Sequence, residues 1–416
     1  MRCNEKRSKL DCLRFKNLPM KVLMLTPYLP YPPASGGQVR SYNLIKNLSK
    51  KHKITLFSLI KDEKEKTYIK ELEKFCVKVR VFKRPPKPWS LKNILKTGFS
   101  LYPFLVVRNL SEEEKAAIQK ELQRERYDLI HAENFYVMPH IPKTDTPILL
   151  TEQTILYRVY EHFVESMPWY FFWLKPIMMI DVLKLKFWEV YYWKHSDFLA
   201  AVSEDDREHI KELTGKRKVA VIPNGVDFHF YNKRIYNRNK DPTVLFGAAD
   251  FHWMQNKEGA VLLLGKVWPL IKKAVPKAKL WIVGKTVASA LKKYLNEKDI
   301  LIEEVEDSRI AYQKAWVLAA PMKSGGGSRT KFFEAMASGL PIVTTAEGAE
   351  GIGAKNGAEI IIENDFKALA KKTAALLLNG KKSERVSENA RDLVRKKYDW
   401  SQSAELLSKV YKEIGK

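Results

Sequence analysis

SGGGSRTKFFEAMA, residues 324–337, is the stretch on which the fold turns. Three glycines, Gly325, Gly326 and Gly327, lead into Ser328, two cations and a run with helical spacing. Glycine lets the backbone approach an anion, because no side chain intervenes and positive φ costs little. Ser328 is a good N-cap, which starts the helix at Arg329. The free N–H groups and the positive end of the helix dipole then face the loop, where a phosphate would sit. Arg329 and Lys331 oppose that dipole in the first turn, a poor choice for stability and a good one for holding an anion. Glu334 lies one turn after Thr330 on the same face, where a carboxylate can accept hydrogen bonds from a diol. Phe332, Phe333 and Met336 suit a core. Gly339 and Pro341 end the helix as a left-handed cap and a breaker. The same pattern also serves as a plain strand-to-helix turn, so the rest of the chain decides between the two readings.

Working outward, short apolar runs alternate with helix-like stretches. Seven such runs (22–26, 54–59, 77–82, 129–132, 148–151, 198–202 and 219–222) precede a polar, cation-rich stretch at 232–241, and six more (244–248, 280–283, 300–302, 316–320, 342–344 and 359–362) follow it. This pattern predicts a parallel α/β architecture with 232–241 as linker. The expected domains are two Rossmann-like units, 20–235 and 240–397, with a helix over 398–416 crossing back to the first. Residues 1–19 read as a basic tail or a mis-assigned start, with Met20 opening the first strand. Two such units place a ligand in a cleft between the carboxyl ends of their sheets.

The 416 residues carry 73 Lys and Arg against 48 Asp and Glu, a net charge of +25. That favours an anionic partner: a nucleotide, a membrane surface or a nucleic acid. A Lys/Glu-rich surface of the kind found in heat-loving organisms would look similar. No helix-turn-helix, RNA-recognition or zinc motif accompanies the charge, so a nucleic-acid partner is not expected. The three cysteines, Cys3, Cys12 and Cys76, form no CxxC pair, which argues against a disulfide framework or a zinc site and suits a reducing, cytoplasmic setting. No uncharged run is long enough to span a bilayer.

Residues 163–193, which open on Phe163 and close on Trp193, hold 11 aromatics. Four are tryptophans (Trp169, Trp173, Trp188 and Trp193), with Lys175, Lys184 and Lys186 interleaved and Lys194 just beyond. Trp and Tyr beside Lys fit an anionic membrane surface. A helix apolar all round fits burial in the first unit equally well.

Five segments in order resemble glycosyltransferase family 4 (glycosyl transferases group 1), enzymes of the GT-B fold. They are residues 21–59 with the Gly36-Gly37 loop, AVSEDDREHI at 201–210, VIPNGVDFHFY at 221–231, residues 244–284, and residues 321–352 with the glycine loop. The resemblance implies retaining, metal-independent transfer of a hexose from a nucleoside-diphosphate sugar to a glycan or lipid-linked acceptor, with no cofactor. It assigns Glu334 to the ribose, as the second glutamate of an E-x7-E signature. It puts Arg329 and Lys331, in a GGG-x-R-x-K-x-x-E variant, on the diphosphate, together with the Gly325–Ser328 loop. Gly36 and Gly37 match the first-unit loop that faces the phosphates. Lys257 matches a phosphate-binding lysine, and Glu306 and Asp307 fall where the nucleobase is bound, largely through backbone groups.

Two positions depart from the family. The first signature glutamate is replaced by Gly326, a feature of the glycine-rich subgroup. Related chains often read T-E-H-N where this one reads Thr151-Glu152-Gln153-Thr154, so Gln153 stands at a sugar-contacting histidine. It can donate a hydrogen bond and cannot titrate near neutrality. His131, in DLIHAEN, is a candidate substitute. Glu133 and Glu152 could orient an acceptor hydroxyl, with a solvated carboxylate as their ordinary state. These departures leave open an inactive nucleotide-sugar-binding relative, or another GT-B enzyme such as a sugar-nucleotide epimerase.

Overall fold

The computed structural model describes residues 19–85, 89–215, 217–295, 297–323 and 330–415. The chain forms two compact units: one runs to Pro223 and takes up Ala404 onward, the other spans Asn224–Ser403.

The first unit is built on seven strands: β1 Lys21–Thr26, β2 Lys53–Ile60, β3 Lys78–Lys83, β4 Leu129–Glu133, β5 Ile148–Glu152, β6 Phe198–Ala201 and β7 Val219–Val221. All pair in parallel, in the order β3-β2-β1-β4-β5-β6-β7. In β1 and β2 every residue after the leading lysine is buried, as expected of parallel strands covered on both faces. β1 lies between β2 and β4, with Leu25 opposite Ala132. The strand order therefore reverses there, and this switch point is where open α/β sheets bind ligands. The helix Gly36–Leu48 starts just after β1.

The second unit repeats the plan with β8 Thr243–Asp250, β9 Lys279–Lys285, β10 Ile300–Glu303, β11 Val317–Ala320, β12 Ile342–Thr344 and β13 Ile361–Ile362. Their order is β10-β9-β8-β11-β12-β13, again parallel, with the switch between β8 and β11. The β8–β9 pairing shifts register between Phe246 and Ala249. Gly247 sits there at φ 139°, where a β-carbon would meet the Val283 carbonyl oxygen at 2.1 Å. Only glycine fits.

The chain passes from one unit to the other between Pro223 and Asn224, before the stretch 232–241 that its composition marks as linker. That stretch is strapped to the second unit. Gln313 accepts from the Ile235 and Tyr236 N–H groups at 2.8 and 3.1 Å and donates to the carbonyls of Tyr231 and Lys233. Trp316 donates its indole N–H to the Asn239 carbonyl. Polar composition cannot separate a tethered strap from a free linker.

The helix Trp400–Ile414 ends on the first unit, as the sequence leads one to expect. Ser408 and Tyr411 bond His52 Nε2 and His131 Nδ1 at 2.7 and 2.6 Å, and Lys218 pairs with Glu413 at 2.8 Å.

Candidate active site

In the second unit the helix Thr330–Ala337 follows β11 at the switch point. Phe332, Phe333 and Met336 are buried as expected, each stabilising the helix by about 1.5–3 kcal/mol. Phe333 stacks on Tyr398 at 4.3 Å. Gly339 takes the left-handed cap, and the Leu340 N–H bonds back to the Ala335 carbonyl. With its apolar face fixed, the helix presents Lys331 and Glu334 on its other side. Gly325, Gly326, Gly327, Ser328 and Arg329 lie outside the described residues.

Lys331 Nζ donates to Asn256 Oδ1 at 2.7 Å and stands 5.3 Å from the centre of the Phe246 ring. Asn256, on the helix Met254–Leu262, is itself held by its Nδ2 donating to the Asp250 carbonyl at the end of β8. The cation is thus fixed by a neighbouring element. Lys257 is next in sequence, and its side chain is exposed instead.

Glu334 accepts a hydrogen bond from the Tyr312 hydroxyl at 3.0 Å and another from Tyr231. Desolvation pushes its carboxyl up to about 7, against the pull of the two phenols. Burial first, and then the Glu334 charge, raises both phenols, so they remain donors. Tyr312 is placed by the Ala248 N–H, which donates to its oxygen at 3.1 Å. Tyr231 also reaches Ser308 Oγ at 3.1 Å. Ser308 opens a short helix capped by Asp307, whose carboxylate takes the Arg309 N–H and pairs with its guanidinium at 2.6 Å. That pairing, first among its causes, holds Asp307 below the usual carboxylate range. Glu306 is exposed.

In the first unit Gly36 and Gly37 open their helix directly, with no acid in the first turn. A β-carbon on Gly37 would lie 1.8 Å from the Tyr28 hydroxyl and 2.7 Å from Gln153 Oε1. That Tyr28 hydroxyl donates to Gln153 Oε1 at 2.9 Å. Gln153 Nε2 donates in turn to Glu133, which pairs with the buried Arg40 at 3.9 Å. Arg40 donates to the Ile222 carbonyl. Gln153 is therefore a link in a chain beneath the glycine pair, with both ends of its amide engaged.

His131 has a different place from the one its motif suggests. It is fully buried, with Nδ1 on Tyr411 at 2.6 Å and Nε2 on Thr151 at 2.8 Å. Burial lowers its pKa to about 4, so the imidazole is neutral. It anchors the C-terminal helix, and neither ring nitrogen is left for a substrate. Glu133 and Glu152 are buried rather than solvated. Glu152 accepts from the Trp193 indole at 3.0 Å, and burial followed by the neighbouring Glu189 charge pushes it well up. Trp193 is a core residue.

Comparison with known proteins agrees with this geometry. Residues 34–230 match the family model for Glycosyltransferase Family 4, and residues 241–379 that for Glycosyl transferases group 1. The chain belongs to glycosyltransferase family 4. Its activity is glycosyl transfer, and its fold is GT-B, two Rossmann-like units in tandem. A protein of the cps region of Klebsiella pneumoniae, described as uncharacterized and of 44.6 kDa, is 24% identical to this glycosyltransferase over 408 residues, 94% of this chain and 99% of its own. The sucrose-phosphate synthase of Thermosynechococcus elongatus matches with a TM-score of 0.67 at 14% identity, over 95% of this chain and 98% of that one. HepE of Anabaena, solved with UDP and glucose, matches at 0.63 and 14%, over 94% and 99%. At these identities the solved structures establish the fold alone.

Proposed function

We propose that this glycosyltransferase moves a hexose, with retention, from a nucleoside-diphosphate sugar to a glycan or lipid-linked acceptor. The observation that carries the donor assignment is the pair Lys331 and Glu334, each fixed by its own partners on one helix at the β8/β11 switch point. A doubly hydrogen-bonded carboxylate suits a ribose diol. An ordered cation beside a glycine-rich helix start suits a diphosphate. HepE, of the same fold, was solved with UDP and glucose.

The leaving group is the nucleoside diphosphate. As the C1–O bond to the β-phosphate breaks, its electron pair passes to that phosphate. Arg329, Lys331 and the backbone N–H groups of the Gly325–Ser328 loop stabilise the charge with little reorganisation. These groups can meet that demand without a metal ion. The acceptor hydroxyl attacks C1 on the face the phosphate leaves, and the phosphate takes its proton. In the first unit Gly36 and Gly37 give a helix start with no acid in its first turn, open to an anion, with Gln153 a positioning residue beneath them. Asp307 and Glu306 border the base. The protein works in the cytoplasm, peripheral at the membrane, with residues 163–193 toward an anionic surface and the product destined for cell-surface polysaccharide or glycolipid.

Thermal shift against UDP-, GDP-, ADP- and TDP-sugars in the presence of EDTA tests this reading. A ligand that binds only the folded state must raise the melting temperature. One clear hit identifies the donor class. Flat curves at saturating ligand from a well-folded sample would sink the donor assignment.

A further inference from the structure

The helix Lys175–His195 is apolar on two opposite sides. Val182, Leu185 and Trp193 are buried. Ile177, Ile180, Leu183, Phe187 and Tyr191, spaced by three or four residues, form a second stripe that is exposed. The turn before it exposes Trp169 (81%), Phe172 and Trp173. A second element does the same. In the helix Leu91–Phe99, Leu91, Ile94, Leu95 and Phe99 (93%) share an exposed face, and the exposed Lys92 and Lys96 flank it. This helix turns its apolar side outward, the reverse of a surface helix that serves a core.

The two elements are joined. Lys184 Nζ donates to the carbonyls of Thr97 and Ser100 at 2.9 and 2.8 Å, and the Trp188 indole donates to the Leu101 carbonyl at 2.9 Å. Tyr102 packs on Trp188 at 4.6 Å, and Asp181 accepts the Phe104 N–H. Their exposed faces therefore lie on adjoining elements. Exposed apolar faces of this kind, side by side, mark a protein or membrane contact. Composition decides between the two. Tryptophan and tyrosine with bordering lysines match the headgroup layer, whereas lysine is depleted at protein interfaces. Lys92, Lys96 and Lys194 are exposed here. Of the three acids in 163–191, Glu189 is buried and Asp181 accepts the Phe104 N–H, which leaves Glu165 exposed against the exposed lysines. Among the described residues no helix is long and apolar enough to cross a bilayer.

We propose that the two segments, 89–101 and 163–191, form a single platform on which the protein lies in the surface of an anionic bilayer. This extends the reading of residues 163–193 as a membrane contact. The segment 89–101, with its helix Leu91–Phe99, comes earlier in the chain and supplies half of the platform.

Sedimentation of the full chain with vesicles of phosphatidylglycerol and phosphatidylcholine tests the platform. Binding is expected, and weaker binding to phosphatidylcholine alone. Leu95→Ser with Phe99→Ser, and separately Trp169→Ser with Trp173→Ser, should each lower partitioning at least about tenfold. Lys92→Gln should lower it about fivefold on anionic vesicles only. All these side chains are exposed, so the melting temperature should hold. Absence of vesicle binding overturns the proposal. So does a Leu95/Phe99 variant that binds like the parent while the tryptophan variant does not, which would leave 163–193 acting alone. A lipid-free dimer that the Leu95/Phe99 variant converts to monomer would show a protein interface instead and overturn it equally. Donor-induced thermal shift reports on the transfer reading separately, and these variants should leave it unchanged.

Discussion

Gly37 has no room for a side chain because Tyr28 fills the space: a β-carbon there would stand 1.8 Å from the phenol oxygen and 2.7 Å from the ring carbon that bears it. Gly37 is thus a packing requirement, whatever else the glycine pair does. Gly37→Ala must swing Tyr28 aside and break its hydrogen bond to Gln153. The expected cost is about 1–3 kcal/mol, with a larger loss of transfer activity. Tyr28→Phe removes the nearest atom. In the double variant the alanine should therefore cost less than in the parent, and a double-mutant cycle on chemical unfolding measures this coupling. Strict additivity would show that the two residues do not meet.

Glu334 carries a pH signature. Its carboxyl lies at about 7, above the ordinary 4.5. Between those values the folded chain holds a proton that the unfolded chain has released. Its contribution to stability is full below pH 4.5 and is lost as pH rises through 7. Glu334→Gln should therefore be more stable than the parent at pH 8, by about 3 kcal/mol, and nearly equal to it at pH 4. The same variant should bind the nucleotide sugar at least about tenfold more weakly. Unfolding curves at the two pH values and a donor titration check both statements. Unchanged donor affinity would remove Glu334 from the ribose.

The sheets were legible because parallel strands are buried on both faces. KITLFSLI reads as a strand from its apolar run alone, and every residue after Lys53 is buried. Lys331 and Glu334 were legible for a local reason: helix periodicity sets them opposite Phe332, Phe333 and Met336. Their partners were not. Asn256 stands 75 residues from Lys331 and Tyr312 22 from Glu334, and no spacing rule connects such pairs. Glu133 and Glu152 misled because acids at strand ends are usually solvated. Here Arg40 and Gln153 meet the first and Trp193 the second. Asn232 through Asp241 looked like a linker because composition does not reveal the three hydrogen bonds that Gln313 makes to it.

Asn256 and Lys257 separate positioning from charge. Asn256→Ala leaves the Lys331 charge in place and removes the amide that orients it. The expected result is a donor KM raised about tenfold, since a hydrogen bond to a charged group contributes about 1.5–3 kcal/mol. If Lys331 is the counter-ion of the leaving phosphate, Lys331→Ala should lower kcat as well. Lys257 is exposed, so Lys257→Ala discriminates. A loss comparable to that of Lys331→Ala would place its flexible amine on the phosphates, and parental kinetics would exclude it. Steady-state kinetics with the donor found by thermal shift provides all three comparisons.

His131 ties the C-terminal helix to the first sheet through Tyr411, and burial lowers its pKa to about 4. An unfolded histidine titrates near 6.5, so between 6.5 and 4 the unfolded chain binds the extra proton. The stability this residue contributes is present above 6.5 and lost as pH falls toward 4. His52, at about 4 for the same first cause and bonded to Ser408 on that helix, acts in the same window. Tyr411→Phe should cost about 1 kcal/mol at pH 7 and leave the acid slope intact. His131→Asn should cost more at pH 7 and flatten the slope, because one of the groups that titrate in this window is gone. Urea unfolding of the three proteins at pH 7 and 4.5 measures this, and an unchanged slope in His131→Asn would rule out the anchoring role. Activity adds a second criterion. A residue that acts only by holding the helix leaves the donor KM of the folded fraction at the parental value. A raised KM in a variant that is still fully folded would return His131 to the substrate.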